Sequence, residues 1–248
     1  MTESYRDFAS LYDTLTFDVD YKKTADFIES TFKKYGLKPE LVLDLACGTG
    51  SLTIELKKRG YDMLGADSSL EMLSVARQKE GAEGILFLNQ PMEDFELYGT
   101  VDAIVCVLDS INYLTDPEAL KKTFSLCANY LNPGGLFIFD VNTEYKFSSV
   151  LGSQTYVYET DNIFYVWENN YDPENELCEL YLNFFTEEQN GLYRRTEEVH
   201  MQRFYAHETL QKALQQNGFS LLSCYDDYTQ NAPGATTERT VYVVKKSQ

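Results

Sequence analysis

The chain has few basic residues for its size. Its 248 residues include 21 Lys and Arg against 39 Asp and Glu, which gives a formal net charge of -18. Proteins that bind nucleic acids neutralise the phosphates with Lys and Arg, and this sequence contains no basic stripe. The composition therefore argues against DNA, RNA and anionic membrane surfaces as partners.

Long apolar runs and patterned cysteines are missing as well. No apolar run approaches the roughly 18 residues that a membrane-spanning helix needs, and no leader-peptide pattern is present. The five cysteines are odd in number, have no C-x-x-C spacing, and include Cys106 and Cys127 within apolar runs. These features predict a cytoplasmic protein with buried, reduced thiols, and they predict neither a disulfide framework nor a metal site.

The most informative stretch is V-L-D-L-A-C-G-T-G at 42–50. An apolar run ends there in a loop with glycines at 48 and 50, and an amphipathic segment follows at once, which is the pattern of a strand, a tight turn and a helix. Glycine lets the backbone take positive φ and lets a ligand approach the main chain closely. A short glycine loop can equally be an ordinary helix entry, so a second signal is needed.

Asp67 supplies the second signal. It follows the next predicted strand, 19 residues after Gly48, where a doubly wound sheet places an acid that accepts hydrogen bonds from ribose hydroxyls. A dinucleotide loop would have a third glycine at position 53, but this chain has Thr53, and the negative charge of Asp44 disfavours a pyrophosphate. The loop therefore favours a cationic, ribose-bearing ligand over NAD.

The order of predicted elements indicates an α/β fold. Strands and helices alternate, as in a doubly wound and mostly parallel sheet with helices on both faces. The strands are expected at 41–46, 61–66, 85–89, 103–108 and 136–140, and the helices at 21–35, 51–59, 69–79 and from Asp116, a predicted cap with Pro117 at the first helical position. A helix at 207–216 and an antiparallel pair of strands at 219–225 and 239–244 complete the sheet.

Residues 154–205 have a different character. They are rich in Tyr, Phe, Val and Thr, and turn signals recur at roughly ten-residue spacing. Four antiparallel strands are predicted, at 154–160, 163–171, 177–187 and 192–204, which form an inserted β subdomain. Alternation puts Glu198, His200 and Gln202 on one face of the last strand.

Together these motifs resemble class I S-adenosylmethionine-dependent methyltransferases. D-L-A-C-G-T-G and G-A-D-S-S-L-E-M-L are similar to motifs I and II of that family, and the likeness continues through residues 89–97, 101–114 and 131–140. It covers most of residues 1–145 and resumes near the C-terminus. The resemblance implies a seven-stranded, Rossmann-like methyltransferase fold made by residues 1–145 and 206–248, S-adenosylmethionine as cofactor, and methyl transfer to a small-molecule acceptor.

The resemblance, taken with the rule that ligands bind at the carboxyl ends of parallel strands, assigns the cofactor-binding residues. They are Tyr12, Asp44, Ala46, Cys47, Gly48, Thr49, Gly50, Asp67, Ser68, Met72, Gln90, Met92, Glu93 and Leu108. Related enzymes often have an Asp after the third strand that accepts from the adenine amino group, whereas this chain has Pro91. Gln90, Glu93 or a backbone carbonyl must then substitute for that acid.

The N-terminal sequence Y-R-D-F-A-S-L-Y-D is similar to segments that close over the cofactor in related enzymes. Tyr5 and Tyr12 are the candidates for such a cover, because closure excludes water and aligns the reacting groups. Packing of an N-terminal helix explains the same aromatic residues equally well.

Three residues are candidates for catalysis. Asp109 and Tyr113 follow the fourth strand, where class I enzymes commonly place groups that meet the substrate. Asp109 can attract or deprotonate an amine that Tyr113 orients, or it can simply cap the following loop. His200 and His207 are the only histidines, and His200 in the insert is the candidate base, with an ordinary sheet surface as the alternative.

The insert, residues 146–205, resembles that of bacterial amino-sugar N,N-dimethyltransferases and, more loosely, of glycine or sarcosine N-methyltransferases. This likeness implies an amine acceptor first, with oxygen acceptors close behind, and an insert that serves as a substrate lid or as a homodimer contact. One alternative is a catalytically silent S-adenosylmethionine-binding module. Another is an NAD-dependent oxidoreductase, which Thr53 and Asp44 disfavour.

Overall fold

The computed structural model of this protein describes residues 9, 12, 13, 16, 19–160, 162–188 and 190–247. Tyr5, a candidate for the N-terminal cover, lies outside the described residues. Within the described part the chain forms eleven strands in two sheets. The strands are β1 (Leu41–Leu45), β2 (Asp62–Asp67), β3 (Leu86–Asn89), β4 (Val101–Cys106), β5 (Leu131–Asn142), β6 (Thr155–Glu159), β7 (Ile163–Asp172), β8 (Leu177–Glu187), β9 (Tyr193–Arg203), β10 (Phe219–Asp226) and β11 (Arg239–Lys246).

The larger sheet has seven strands in the order β10-β11-β5-β4-β1-β2-β3. The strands from β5 to β3 in this order pair in parallel, and β11 is antiparallel to both of its neighbours, β5 and β10. This topology confirms the predicted mostly parallel, doubly wound sheet. The strand order reverses between β1 and β4, so the carboxyl ends of these two strands flank the crevice in which such folds bind ligands.

Five α-helices connect the strands of this sheet in the described residues. They are α1 (Tyr21–Lys34), α2 (Ser51–Lys58), α3 (Leu70–Gln78), α4 (Pro117–Tyr130) and α5 (His207–Gln216). Asp116 caps α4 as predicted, since it accepts from the Glu118 amide with Pro117 at the first position, and Ser69 caps α3 by accepting from the Met72 amide. Within this described part no helix has the length and apolarity required to cross a membrane.

The core lies on both faces of the large sheet, as the apolar run in β5 illustrates. Phe137 and Phe139 pack on one face with Phe124 of α4, whereas Ile138 packs on the other face with Phe32 of α1. Burial of each such side chain contributes roughly 1.5–3 kcal/mol to folding. All five cysteines lie in the described residues and are unpaired, and Cys106 and Cys127 are buried, as predicted.

The smaller sheet is the inserted one, and its four strands pair antiparallel in the order β6-β7-β8-β9. One face, here called the inner face, carries Tyr158, Tyr165, Trp167, Leu180, Leu182, Phe184 and His200. On this face Ile163, Tyr165 and Phe184 pack against Tyr12 and Met72, which were assigned to the cofactor site from the sequence. The opposite face leaves large apolar side chains such as Val157 and Val199 exposed. The insert therefore covers the crevice of the main sheet with its inner face.

Several element boundaries differ from the predictions for backbone reasons. β1 and β4 end earlier than expected because Ala46 and Leu108 have φ of 59° and 57°, which no strand accommodates. β5 begins at Leu131, earlier than predicted, because the Pro-Gly-Gly stretch forms a register shift opposite β4 and not a turn. A π-helix at Lys146–Leu151 has no counterpart in the sequence-based prediction.

Candidate active site

The loop after β1 is built from backbone conformations that favour glycine. Ala46, Gly48 and Gly50 all have positive φ, of 59°, 54° and 71°. A Cβ atom added at Gly48 would meet nothing within 4 Å, whereas one added at Gly50 would lie 3.1 Å from Ala76 Cβ and 3.2 Å from Phe87. Gly48 therefore leaves space open for a ligand, and Gly50 allows close packing against α3 and β3.

Asp67, at the end of β2, is tied to the glycine loop. Its carboxylate accepts hydrogen bonds from the backbone amides of Gly48 and Ser69, each at 2.8 Å. Burial raises the pKa of Asp67, and these two amides act in the opposite direction. Each carboxylate oxygen can accept further bonds, so the group is oriented and still able to receive ligand hydroxyls.

Asp44 is almost completely buried at the end of β1, and Thr53 Oγ1 donates to it over 2.6 Å. Burial raises the pKa of Asp44 to about 7, although the bond from Thr53 favours the charged form. Thr53, which stands where a dinucleotide-binding loop has its third glycine, thus serves to hold the Asp44 carboxylate. A cationic ligand beside Asp44 would favour its ionised form.

The N-terminal segment is fastened to the glycine loop by a polar cluster. Thr49 Oγ1 donates to Asp13 over 2.7 Å, and Lys79 forms an ion pair of 2.6 Å with the same carboxylate. Lys79 also donates to Thr49 Oγ1. These bonds hold the neighbouring Tyr12, whose pKa is raised by burial, in the wall of the crevice.

The loop after β4 has an unusual backbone that is held by one buried acid. Leu108 and Asp109 both have positive φ, which costs non-glycine residues about 1–2 kcal/mol each. Their amides donate to the two carboxylate oxygens of Asp140, at 2.7 and 2.6 Å. Tyr228 also donates to Asp140, which is fully buried and whose pKa is raised by that burial. The strained turn is therefore fixed in place by β5.

The side chain of Asp109 is occupied by two protein partners. Arg239 Nη2 pairs with Oδ1 and Gln202 Nε2 donates to Oδ2, each at 2.6 Å. Because the carboxylate can only accept, Gln202 must present its oxygen to Asn142 Nδ2, which lies 3.1 Å away. The sequence suggested that Asp109 attracts or deprotonates an amine. In the structure each of its oxygens accepts one bond from the protein and keeps a second lone pair for a ligand. As placed, Asp109 orients Gln202 and neutralises Arg239.

His200 and Tyr113 meet where the insert faces the loop after β4. Their rings make an edge-to-face contact with 5.8 Å between centroids. Burial lowers the pKa of His200, so the imidazole is neutral at pH 7 and can accept a proton. The alternation predicted for β9 is confirmed, since Glu198 and Gln202 are buried on the same face and Val199 is exposed.

One cavity of about 700 Å³ joins these two regions. Its volume lies in the upper part of the ~300–1,000 Å³ range of small-molecule sites, which suits two ligands side by side. Fourteen of the sequence-predicted site residues line it: Tyr12, Asp44, Ala46, Cys47, Gly48, Thr49, Asp67, Ser68, Met72, Met92, Leu108, Asp109, Tyr113 and His200. The inner face of the insert contributes Tyr158, Tyr165, Trp167, Leu180, Leu182 and Phe184.

Three predicted cofactor residues do not line the cavity. Gly50 is turned towards Ala76 and Phe87, as described above. Gln90 uses its side-chain oxygen to accept from the Glu96 amide over 2.9 Å, because it closes the turn after β3. Glu93 lies in a short 3₁₀ helix at Met92–Asp94, in which Met92 is the residue that reaches the cavity.

Sequence reasoning missed Lys146, Trp167 and Arg239, all of which line the cavity. Arg239 pairs with Asp109 across 130 positions of sequence, a distance over which no local pattern operates. The signal for Trp167 was the period-two alternation of β7, which places it on the same face as Tyr165. Lys146 lies in the unpredicted π-helix.

Comparison with known proteins indicates the same kind of site as this geometry does. Residues 42–135 match the family model of the methyltransferase domain. YqeM of Bacillus subtilis (strain 168), a relative assigned to the methyltransferases by name, is 35% identical over 98% of both chains. The crystal structure of an S-adenosylmethionine-dependent methyltransferase from Clostridium acetobutylicum ATCC 824 is 38% identical, covers 98% of this chain and 99% of its own, and superposes with a TM-score of 0.89.

A more distant structure shares the fold. The sugar N-methyltransferase KedS8 from Streptoalloteichus sp ATCC 53650 is 21% identical and covers 96% of this chain and 93% of its own, with a TM-score of 0.79. Three findings agree: the oriented carboxylate of Asp67, the open turn at Gly48, and 35–38% identity to the two bacterial relatives over nearly the whole chain. The protein belongs to the S-adenosylmethionine-dependent methyltransferases.

Proposed function

We propose that the enzyme methylates an amine nitrogen of a small molecule bound between the loop after β4 and the inner face of the insert. The observation that carries this proposal is the shared cavity, in which aromatic side chains of the insert and the glycine loop line one continuous space. The insert, residues 146–205, is then the part of the chain that shapes the acceptor site. Its packing against Tyr12 and Met72 supports a role as a lid.

The cofactor half of the cavity has the chemistry that S-adenosylmethionine requires. Gly48 leaves open space beside the main chain, Asp67 offers carboxylate oxygens to ribose hydroxyls, and Asp44 suits a cationic group. Met72 and Met92 line the cavity and are suited to pack on adenine. These residues would hold the cofactor, which when bound supplies an electrophilic methyl group on a sulfonium.

The acceptor half must align the amine and remove one proton from it. His200 suits the second task because burial lowers its pKa and keeps the imidazole uncharged near neutral pH. Tyr113, in contact with the His200 ring, can donate to or accept from the acceptor, and Asp109 positions Gln202 on the same wall. In methyl transfer from a sulfonium, this alignment accounts for most of what a protein contributes.

The choice of an amine has two supports. The distant structural relative KedS8 is a sugar N-methyltransferase, and a neutral histidine favours an uncharged, nucleophilic amine because it can take up the proton that the amine releases. A hydroxyl acceptor would need a base that removes its proton before or during transfer, whereas a neutral amine attacks with its lone pair and loses its proton afterwards. No described group in the cavity is better suited to that task than His200.

The test is a panel of small aromatic amines and matched phenols, incubated with S-adenosylmethionine while release of S-adenosylhomocysteine is measured. We expect turnover with amines, at least a tenfold loss in His200→Gln, and unchanged binding of S-adenosylhomocysteine by calorimetry. Tyr113→Phe should raise KM more than it lowers kcat. Turnover restricted to phenols, or full activity of His200→Gln, would refute the proposal. Failure to bind S-adenosylhomocysteine would contradict the cofactor assignment itself.

A further inference from the structure

Lys146 places a cation in the acceptor half of the cavity. It is the first residue of the π-helix Lys146–Leu151, which follows β5. β5 lies two strands from β1 in the sheet, so the axes of these two strands are roughly 10 Å apart. Both Lys146 and Leu151 line the cavity, together with Trp167 and Leu180 of the inner face.

The π-helix is a rigid support for this lysine. Phe147 is buried and stacks on Tyr171 with 5.6 Å between ring centroids, and Leu151 packs with Cys178 and Leu180 in the same cluster. At its start, the Lys146 amide donates to Thr143 Oγ1. π-helical turns are rare in proteins, and those that occur are often found at functional sites.

The other cations of the cavity are compensated by acids. Arg239 pairs with Asp109 at 2.6 Å and lies 3.5 Å from Asp140, and Lys23 pairs with Asp227 at 2.8 Å. Lys146 is half-buried, and within the described ranges its ammonium forms no ion pair. Such a lysine is unexpected in a chain with 39 acidic residues and a net charge of -18.

Among the described residues, none of the acids that line the cavity pairs with Lys146. Asp44 accepts from Thr53, Asp67 from two amides and Asp20 from the Lys23 amide, while Asp109 and Asp227 are in the ion pairs given above. In the acceptor half Asp109 is thus paired with Arg239, and the Lys146 ammonium is left without an acid among the described residues. An anionic group beside Lys146 would gain a charge-assisted hydrogen bond that the protein itself does not supply.

We propose that Lys146 forms an anion subsite, so that the methyl acceptor carries a carboxylate or a phosphate group in addition to the nitrogen that is methylated. This inference rests on the proposed amine methylation and names the class of amine. The aromatic wall of Trp167 and Tyr165 would cover the body of the acceptor, and Lys146 would bind its anionic end.

The experiment compares matched probes on protein saturated with S-adenosylhomocysteine. The probes are 4-(aminomethyl)benzoate, 4-(aminomethyl)phenyl phosphate and the neutral isostere 4-(aminomethyl)benzamide, and the dissociation constants are measured by calorimetry or ligand-observed NMR. We expect at least one anionic probe to bind about fivefold more tightly than the amide, as a partly exposed ion pair provides. The anionic probe with the larger gain in affinity over the amide indicates whether the acceptor carries a carboxylate or a phosphate.

Three variants test whether this preference comes from Lys146. Lys146→Gln should reduce the ratio of the affinity for the anionic probe to that for the amide to about one. Lys146→Arg should retain this ratio, and Lys38→Gln should leave it unchanged. Lys38 is exposed before β1, at the opposite end of that strand from the glycine loop, so it controls for the loss of one charge. The inference is wrong if the wild type binds the amide as well as both anions, if it binds neither anion at millimolar concentration, or if Lys146→Gln keeps the preference.

These outcomes are separable from failure of the proposed function. If S-adenosylhomocysteine does not bind, or if no amine is methylated, the proposed function fails. Equal affinity for the amide and for both anions, with S-adenosylhomocysteine binding intact, refutes the anion subsite alone.

Discussion

The cofactor half and the acceptor half of the cavity are built on different physical principles. In the cofactor half, local backbone geometry decides the site: a turn with three positive φ angles and an acid that binds two amides. In the acceptor half, four side chains from distant parts of the chain meet: Asp109 from the loop after β4, Asp140 from β5, Gln202 from β9 and Arg239 from β11. The first kind of site tolerates little sequence change, whereas the second can be altered one side chain at a time.

This difference also divides the two tasks of the enzyme. A cofactor that is always the same can be bound by main-chain groups, which no substitution removes. In the proposed function an acceptor is selected by the side chains of the inserted sheet, whose alternation presents one residue in two to the cavity. Four predictions can break or sharpen this comparison, and they are given from the largest expected effect to the smallest.

Arg239→Met should destabilise the protein by about 3–5 kcal/mol, because it leaves the buried acids Asp109 and Asp140 without their cation. Chemical denaturation measures the loss. Lys23→Met is the matched control, since its ion pair with Asp227 is exposed and should contribute less than about 1 kcal/mol. The folded fraction of Arg239→Met should still bind S-adenosylhomocysteine. A loss of stability as small as that of Lys23→Met would contradict the role of Arg239 as the cation that compensates the two buried acids.

Gly50→Ala should cost about 2–4 kcal/mol of stability, the sum of an unfavourable φ and a Cβ pressed against Ala76 and Phe87. Gly48→Ala has the same backbone penalty of about 1–2 kcal/mol but no clash. Its main effect should be weaker binding of S-adenosylhomocysteine, since the new methyl group enters the open side of the turn. Thermal unfolding and calorimetry on both variants separate packing from ligand space. Equal stability of the two would show that the assignment of the two glycines is incorrect.

Asp67→Ala should weaken S-adenosylhomocysteine binding by about 1–3 kcal/mol, through the lost hydroxyl contacts and the two amides left without an acceptor. Calorimetry gives the value directly. Asp62→Ala, at the exposed start of the same strand, removes an equal charge and should change nothing. Unchanged affinity in Asp67→Ala would remove its ribose role.

Cofactor binding should depend on pH through Asp44. Its pKa of about 7 means that the carboxyl is largely protonated at pH 6, and a cationic ligand favours the ionised form. The affinity for S-adenosylmethionine should therefore rise about tenfold, or about 1.4 kcal/mol, between pH 6 and pH 8, and level off above that. Calorimetry in two buffers should also detect proton release at pH 6.

Asp44→Asn should bind with the same affinity at both pH values, because the titrating group is gone. The pKa of His200 is lowered from 6.5, so its titration falls below most of this range. A pH dependence that persists in Asp44→Asn would assign the proton to another group.

The parts of the fold that were predictable are those with short-range causes. The cap at Asp116, the glycine turn and the alternation of β9 each depend on residues within a few positions of one another. The early end of β4 and the π-helix were not predictable, because Asp140 and the inner face of the insert impose them from distant parts of the chain. For the same reason the sequence offered Asp109 as a base, while its partners Gln202 and Arg239 occupy it in the fold.

By itself, the sequence determined the donor: the loop at 42–50, Asp67 and Thr53 specify a cationic, ribose-bearing cofactor, because backbone conformation and strand ends follow from local residue types. Tertiary structure alone decided the acceptor site. It closed the insert over the crevice, occupied Asp109, and left Lys146 without an acid among the described residues. These features are sums of contacts between residues far apart in sequence, and only packing of the two sheets brings them together.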